Sequence, residues 1–388
     1  MTAKGWQTKT IDDLCEFSNG HGFGPRDWAE AGIPIIRIQN LNGETDFNYF
    51  QGKPEPEWLV EPGTILFAWA GTRGVSFGPT IWNGPQGVLN QHIFRVQSRQ
   101  GVERKWLYLA LRGATDRIER KAHGFKSTLL HVGKKDITRQ LIQVPPLPEQ
   151  RKISDILATW DMALEKLDSL IVAKERCKKA LLHQLLTGEK RLKGCAVKIS
   201  MKHASELFAN RSERNTSRLP VLSVTQDQGV VLRSGMERKI THDQGNTHTY
   251  KVVNEGDYVI SLRSFQGGLE YSAHNGAVSP AYHVIYPIVQ IAPSFYRHYF
   301  KSVDFIGRLA TAVIGIRDGK QVNYQDFGFL KLPYPDIETQ KSIGAILDNC
   351  EEELRLLRAK RDALDQQKRG LMQRLLTGRV RVKRCELR

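Results

Sequence analysis

The sequence lacks the long apolar run that a membrane-spanning helix requires. Such a helix needs about 20 consecutive apolar residues, and no stretch of the 388 residues approaches that length. The first ten residues, MTAKGWQTKT, also lack the hydrophobic core of a secretory signal peptide. We therefore expect a cytoplasmic protein with no membrane partner.

Patterns that bind metals or form disulfides are missing too. The eleven histidines show neither HxH nor HExxH spacing, so no metal site is predicted. The cysteines are odd in number, scattered and without a CxxC pair; they are Cys15, Cys177, Cys195, Cys350 and Cys385. In a reducing cytosol this arrangement predicts free thiols.

Motifs of enzymes that act on nucleic acids are absent or weak. The chain has no GxxxxGK[ST] segment, so it carries no ATP-driven translocase, and no glycine motif of a methyltransferase is visible. Ser279–Tyr282 is only superficially similar to the Asn/Asp-Pro-Pro-aromatic motif of amino-methyltransferases. Asp116, Glu119 and Lys121 are residue types of a nuclease triad, but they fall within two turns of a predicted helix and indicate a solvated charged face. We predict no catalytic residue.

The charge of the chain favours a polyanionic partner. Lys and Arg number 57 against 41 Asp and Glu, which gives a formal net charge of +16. Such an excess favours nucleic acid as the partner.

A long internal repeat is the most informative feature that is present. Residues 150–193 and 340–383 align without a gap at an offset of 190, so that Gln150 aligns with Gln340. Both segments contain the tetrapeptide LLTG followed by basic residues. A repeat of this length indicates two copies of one unit, which can present two binding surfaces.

Both repeated segments are predicted to be helices with a heptad seam. Side chains that are apolar or long recur at alternating steps of four and three, at positions 153, 157, 160, 164, 167, 171, 174, 178, 181 and 185 and at the positions 190 higher. No proline interrupts either run, and Gly188 and Gly378 are predicted to end the helices. Each helix then spans about 38 residues.

The charges in the seams favour an antiparallel pairing of the two helices within one chain. In that arrangement Lys174 faces Glu351–Glu353 and Arg361 faces Glu165, whereas a parallel pair would place Lys178 against Lys368. A seam shared between two chains of a homodimer is the alternative.

The segments between the helices have the composition of α+β globular domains. Strands are predicted at Ile33–Ile38, Thr64–Trp69, His92–Val96, Leu219–Val224, Tyr258–Leu262 and Tyr282–Tyr286, and short helices at Lys105–Arg112 and Ser294–Lys301. The predicted fold is α+β, with two globular domains alternating with two long helices that pair as an antiparallel coiled coil, in an internal two-fold repeat. The predicted boundaries are 1–148, 149–194, 195–336 and 337–388.

The alternation of variable domains and similar helices resembles a known family. Each helix follows a proline-containing strand end, VPPLPEQRKI at Val144 and LPYPDIETQKSI at Leu332, and each ends in LLTG. This pattern resembles the specificity subunit of Type I restriction–modification systems over nearly the whole chain. The second copy departs from the pattern, because Asp336 and Glu338 replace the two prolines.

The resemblance implies a non-catalytic DNA-binding subunit with two target-recognition domains. Each domain would recognise one half of a split target in double-stranded DNA. The helices would set the spacing and dock two DNA methyltransferase (modification) subunits, and restriction/translocase subunits would complete the complex. No cofactor is expected on this chain, since S-adenosylmethionine, ATP and Mg belong to the partner subunits.

Loop residues that suit base recognition are the candidate DNA contacts. Arginine recognises guanine, and asparagine or glutamine recognises adenine, in the major groove; glycines beside such loops let the backbone approach phosphate. The candidates of the first domain are Arg73, Asn90, Gln91, His92, Lys126 and Ser127, and those of the second are Arg263, Ser264, Gln266, Arg317, Lys320 and Gln321. Basic residues after the two LLTG segments bind phosphate or favour the helix C-termini.

Three alternative functions remain open from the sequence. The first is a recognition protein that acts without partners. The second is a nuclease or methyltransferase in its own right, and the third is a coiled-coil assembly protein whose basic charge is incidental.

Overall fold

The computed structural model describes most of the chain. The described residues are 4–121, 129–187, 189–190, 192, 199–217, 219–226, 228–233, 247–261, 267–313 and 324–382. They form two compact units, one of Met1–Lys166 with Arg361–Arg388 (unit 1) and one of Leu167–Lys360 (unit 2). The domain boundaries given above remain a prediction.

Unit 1 is built on two four-stranded sheets. In the order β2-β10-β6-β8 every neighbouring pair is antiparallel, whereas the order β4-β3-β9-β5 contains the parallel pair β3–β9. Two further pairs join β1 to β12 and β7 to β11. The strands are β1 (Gln7–Thr10), β2 (Cys15–Asn19), β3 (Ile33–Ile36), β4 (Asn48–Phe50), β5 (Leu59–Val60), β6 (Ile65–Ala68), β7 (Ala70–Thr72), β8 (Gly78–Ile81), β9 (Gly87–Leu89), β10 (Ile93–Ser98), β11 (Leu129–His131) and β12 (Leu141–Val144).

The core of unit 1 lies between the antiparallel sheet and the helices. Trp106 is fully buried, and the Phe17 ring meets those of Phe67 and Phe94 edge to face at 5.8 and 5.5 Å, a geometry that aromatic pairs favour. The helices are α1 (Ile11–Leu14), α2 (Ile38–Leu41), α3 (Arg104–Lys121), α4 (Lys134–Thr138) and the start of α5 (Leu147–Thr187).

Unit 2 has the same succession of strands in its main sheet, which runs β14-β21-β18-β19. Its core is rich in aromatic residues, with Phe208, Tyr258, Tyr296 and Phe300 all fully buried. The strands are β13 (Ser200–His203), β14 (Phe208–Arg211), β15 (Leu222–Thr225), β16 (Gly229–Leu232), β17 (Lys251–Val253), β18 (Tyr258–Ser261), β19 (Leu269–Tyr271), β20 (Gly276–Val278), β21 (Tyr282–Pro287) and β22 (Lys331–Tyr334). The helices are α6 (Ala204–Leu207), α7 (Pro293–Tyr299), α8 (Val303–Val313), α9 (Tyr324–Gly328) and α10 (Ile337–Leu376).

The two long helices form as the heptad pattern predicts. Helix α5 has 41 residues and α10 has 40, and every seam position of both is buried or half-buried. Beyond α10, Gly378 adopts φ +70° and its N–H donates to the Leu375 carbonyl at 3.3 Å. This left-handed conformation favours glycine and ends the helix. The corresponding Gly188 lies outside the described residues.

Each unit contains an ion pair between its portions of the two long helices. In unit 1 Asp161 pairs with Lys368; in unit 2 Lys174 lies 2.7 Å from Glu353 and Lys178 lies 3.5 Å from Glu351. Within unit 2 the residue number therefore falls on α10 as it rises on α5, which is the antiparallel direction. The predicted approach of Lys174 to Glu353 is thus observed, whereas that of Arg361 to Glu165 stays a prediction.

A buried glutamine fixes the start of each long helix. The Gln150 side chain accepts the Glu103 N–H at 2.8 Å and donates to the Pro145 carbonyl at 2.9 Å. Gln340 likewise accepts the Ala292 N–H at 2.9 Å and donates to the Pro335 carbonyl at 2.8 Å. These residues are 2% and 0% exposed, so each amide satisfies two backbone groups that water cannot reach.

The remaining elements agree with the predicted α+β class, although their bounds differ. All six predicted strands are present with shifted ends, and Leu262 lies outside the described residues. The first predicted short helix, Lys105–Arg112, is longer in the structure, because α3 continues to Lys121. The second predicted short helix, Ser294–Lys301, corresponds to α7, which ends at Tyr299 and is followed by the separate helix α8. No helix in the described ranges is both long and apolar enough to span a bilayer.

Candidate nucleic-acid interface

Three of the predicted DNA-contacting residues form the turn between β9 and β10. The Asn90 N–H donates to the Ile36 carbonyl at 3.0 Å, and the Asn90 carbonyl accepts the Ile93 N–H at 3.2 Å. Gln91 is exposed, whereas Asn90 and His92 are half-buried. The backbone of the turn is therefore fixed by the sheets, and Gln91 presents its amide to solvent.

An aromatic residue that the sequence did not single out organises this turn. The Trp69 indole N–H donates to the Gln91 carbonyl at 3.1 Å, and the Trp69 backbone N–H donates to the His92 carbonyl at 3.3 Å. The Trp69 ring lies 5.1 Å from that of His92 and 6.0 Å from that of His131. Trp69 is the last residue of a predicted strand, but no sequence pattern predicted that it would meet two imidazoles.

Arg73 lies at the tip of the loop that joins β7 to β8. The loop is closed by two hydrogen bonds between Thr72 and Ser76, at 2.8 and 2.9 Å, and by the Gly74 N–H, which donates to Glu119 at 2.9 Å. Arg73 is half-buried. It lies four residues after Trp69, just beyond the end of β7.

The glycine-rich segment Gly20–Gly24 beside this turn is held by a backbone hydrogen bond and by ring contacts. The His21 N–H donates to the Leu89 carbonyl at 2.8 Å, and the His21 ring stacks on Trp58 at 4.1 Å. A Cβ on Gly20 would lie 2.2 Å from the Asn90 carbonyl oxygen. Glycine is therefore required for the close approach of these two backbones.

A cleft of about 530 Å³ opens next to Gln91 in unit 1. Its volume falls in the range of about 300–1,000 Å³ that is common for small-ligand sites. The lining contains polar, aromatic and basic side chains but no carboxylate, and consists of Asn19, Gly20, His21, Gly22, Trp69, Gln91, Phe94, Val132, Gly133 and Lys134.

The other predicted contacts fall outside the described residues. They are Lys126, Ser127, Arg263, Ser264, Gln266, Arg317, Lys320 and Gln321. Their part in DNA binding stays a prediction.

One basic residue after the second LLTG segment has a structural partner. Arg381 binds both carboxylate oxygens of Glu149, at 2.9 and 3.0 Å, and lies over the Trp6 ring. Partial burial by itself raises the pKa of Glu149, but hydrogen bonds from Arg381 and Trp6 outweigh it and hold this pKa below its usual value. Arg381 therefore joins the C-terminal segment to the start of α5, a role that neither sequence interpretation of these basic residues included.

A histidine–carboxylate cluster in unit 2 already contains its own cations. His298 Nε2 lies 2.7 Å from Asp348, and Arg297 lies 2.6 Å from Asp348 and 3.1 Å from Glu351. Burial lowers the pKa of His298, which the hydrogen bond to Asp348 opposes. Lys178 lies 3.5 Å from Glu351. Because Arg297 and Lys178 supply the positive charge, we assign no metal to this cluster.

Comparison with known proteins shows what this chain is similar to. A family model described as the Type I restriction modification DNA specificity domain matches residues 3–174. The specificity subunit of the Type I restriction enzyme EcoBI from Escherichia coli is 27% identical over 191 residues, which are 47% of this chain and 39% of that protein. The MjaVIII specificity subunit from Methanocaldococcus jannaschii is 22% identical over 352 residues, or 84% of this chain and 81% of that protein.

Solved structures agree in fold. The S subunit of a Type I restriction–modification system from M. genitalium superposes with a TM-score of 0.51 at 17% identity, covering 96% of each chain. A chain from a structure that concerns complex assembly and conformational transition of the type I R-M system superposes with a TM-score of 0.60 at 13% identity. The match covers 98% of this chain and 100% of that chain. At these identities the matches establish the fold alone.

Residues 3–174 thus match the model of a Type I restriction–modification DNA specificity domain. The chain is similar to Type I specificity subunits, the family that the repeated helices and the PPLPEQ segment resemble. Both of these curated relatives are named as specificity subunits of Type I restriction enzymes.

Proposed function

We propose that this chain recognises a bipartite sequence in double-stranded DNA for a Type I restriction–modification complex, with one domain per half-site. The observation that carries the proposal is the shared architecture of the two units. One unit contains the matched DNA specificity domain, and the other has the same strand succession in its main sheet. Two similar domains with different loops suit two different half-sites.

The starts of the long helices support the duplication in detail. Gln150 and Gln340 make equivalent pairs of hydrogen bonds, each to a proline carbonyl and to a backbone N–H just before the first helix that follows the main sheet. Strand pairs β1–β12 and β13–β22 hold corresponding ends of the two domains. The proposed antiparallel coiled coil and two-fold repeat account for both features.

The long helices are the proposed docking surface for two modification subunits. Four apolar side chains on them are 42–54% exposed, namely Met162, Leu170, Val172 and Leu356. Apolar residues on a helix are expected to face a core or a partner. Methylation with S-adenosylmethionine and cleavage driven by ATP and Mg would belong to the partner subunits, and the complex would act on DNA in the cytoplasm.

Selection of bound sequences from a randomised pool of duplex DNA tests the proposal. The chain assembled with its modification subunits is expected to enrich two short conserved blocks separated by a gap of fixed length. A single uninterrupted block, or no enrichment, would contradict it.

A further inference from the structure

We propose that the cleft beside Gln91 holds the sugar–phosphate backbone of the DNA and that Lys134 contacts a phosphate there. This inference rests on the proposed function and assigns a role to residues outside the predicted set of contacts. The cleft is the one of about 530 Å³ in unit 1 described above.

Lys134 forms no ion pair with a carboxylate in the part of the chain that the structure describes. Its ammonium group donates to the Phe17 carbonyl at 2.7 Å and lies 5.9 Å from the centre of the Phe94 ring. The lining of the cleft contains no acidic side chain, and no ion pair among the described residues includes Lys134. One of its three N–H groups is used by the carbonyl, which leaves donors for a phosphate oxygen.

Unit 2 shows that the fold does not need this charge. Helices α4 and α9 begin 190 residues apart, with Lys134 in one and Tyr324 in the other. The Tyr324 hydroxyl donates to the Phe208 carbonyl at 2.8 Å, whereas Lys134 donates to the carbonyl of Phe17, two residues further along the corresponding strand. Unit 2 therefore has a neutral donor to a strand carbonyl at this helix position, so the position does not require a cation.

The rest of the lining suits a nucleic-acid backbone. Gly22 and Gly133 are exposed; a Cβ on Gly22 would lie 3.0 Å from the Gln91 side-chain oxygen, and one on Gly133 would lie 3.3 Å from an Asp136 carboxylate oxygen. The rings of Trp69 and His21 form apolar surface for a deoxyribose, and the exposed amide of Gln91 lies at the edge of the same cleft. A backbone held here would bring base edges towards Gln91, because phosphate contacts fix the register in which bases are recognised.

The test uses the full-length chain assembled with its modification subunits. Lys134→Tyr removes the charge and introduces the residue that unit 2 has at this helix position, whereas Lys134→Arg keeps the charge. Lys135→Tyr is the matched control, since Lys135 is the exposed neighbour that does not line the cleft. Affinity for selected and for random duplexes is measured across a series of salt concentrations, and thermal unfolding verifies that each variant folds.

We expect Lys134→Tyr to weaken binding to both duplexes about eightfold at 0.1 M salt. The slope of log K against log salt concentration should fall by about 0.9, the effect of one phosphate contact. Lys134→Arg and Lys135→Tyr should keep the slope of the unmodified chain. An unchanged slope in Lys134→Tyr, or an equal fall in Lys135→Tyr, would overturn the inference.

The same data separate this inference from the proposed function. If the unmodified chain prefers the selected duplex and Lys134→Tyr keeps its slope, the cleft proposal alone is wrong. If the unmodified chain shows no preference while Lys134→Tyr still loses slope, the backbone contact stands and sequence-specific recognition is wrong.

Discussion

Replacing Gln150 with leucine is expected to destabilise unit 1 by about 2–6 kcal/mol. The side chain is 2% exposed and pairs with the Glu103 N–H and the Pro145 carbonyl. Leucine has nearly the same size but leaves the buried Pro145 carbonyl and the N–H of the half-buried Glu103 without this partner. Each such group costs about 1–3 kcal/mol, and the two costs together give the expected range.

Urea unfolding and hydrogen exchange of the Glu103 amide measure this effect at two levels. The amide should be protected in the unmodified chain and should exchange much faster in Gln150→Leu, because its acceptor is gone. Gln366→Leu is the matched control, since Gln366 is exposed on α10 within unit 1, and it should change stability by less than about 0.5 kcal/mol. A loss below about 1 kcal/mol with continued protection of the amide would refute the structural role of Gln150.

Three further predictions follow from the charges and the helices. The pKa of Glu149 is held low in the folded chain, so its pairing with Arg381 should stabilise the fold above a pH of about 4.3, and this stabilisation should be lost as the pH falls further. Glu149→Gln should therefore be less stable in urea than the unmodified chain near pH 7. An equal difference in stability near pH 3 would contradict this. Arg73→Ala should cost about 1–3 kcal/mol of binding and relax one half-site in a sequence selection, whereas equal weakening on random DNA would make it a phosphate contact. Seven residues inserted after both Leu167 and Leu357 should lengthen the helices by about 10 Å and the preferred gap by about three base pairs, and an unchanged gap with retained affinity would exclude the helices as the spacing device.

The long helices could be predicted because their determinants are local and repeated. A heptad seam shows in any single segment, and the offset of 190 residues between the copies gives the pattern twice. The charge pattern also predicted the contact of Lys174 with Glu353, which the structure shows at 2.7 Å. In a heptad seam, residue type and spacing alone determine which side chains meet.

The candidate interface could be predicted only in part, because long-range contacts assemble it. Gln91 and Arg73 were proposed from residue type, but the surroundings of Gln91 come from segments far apart in the sequence, including His21 and Lys134. The pairing of Arg381 with Glu149 joins residues 232 apart. No local pattern predicts such contacts, so the basic residues after LLTG were interpreted without their true partner.

Methylome sequencing of cells with and without this gene tests the central claim most directly. If the chain gives a modification complex its target, a methylated motif of two short sequences separated by a fixed gap should be present with the gene and absent without it. Identical methylomes, or the loss of a motif without a gap, would contradict the account.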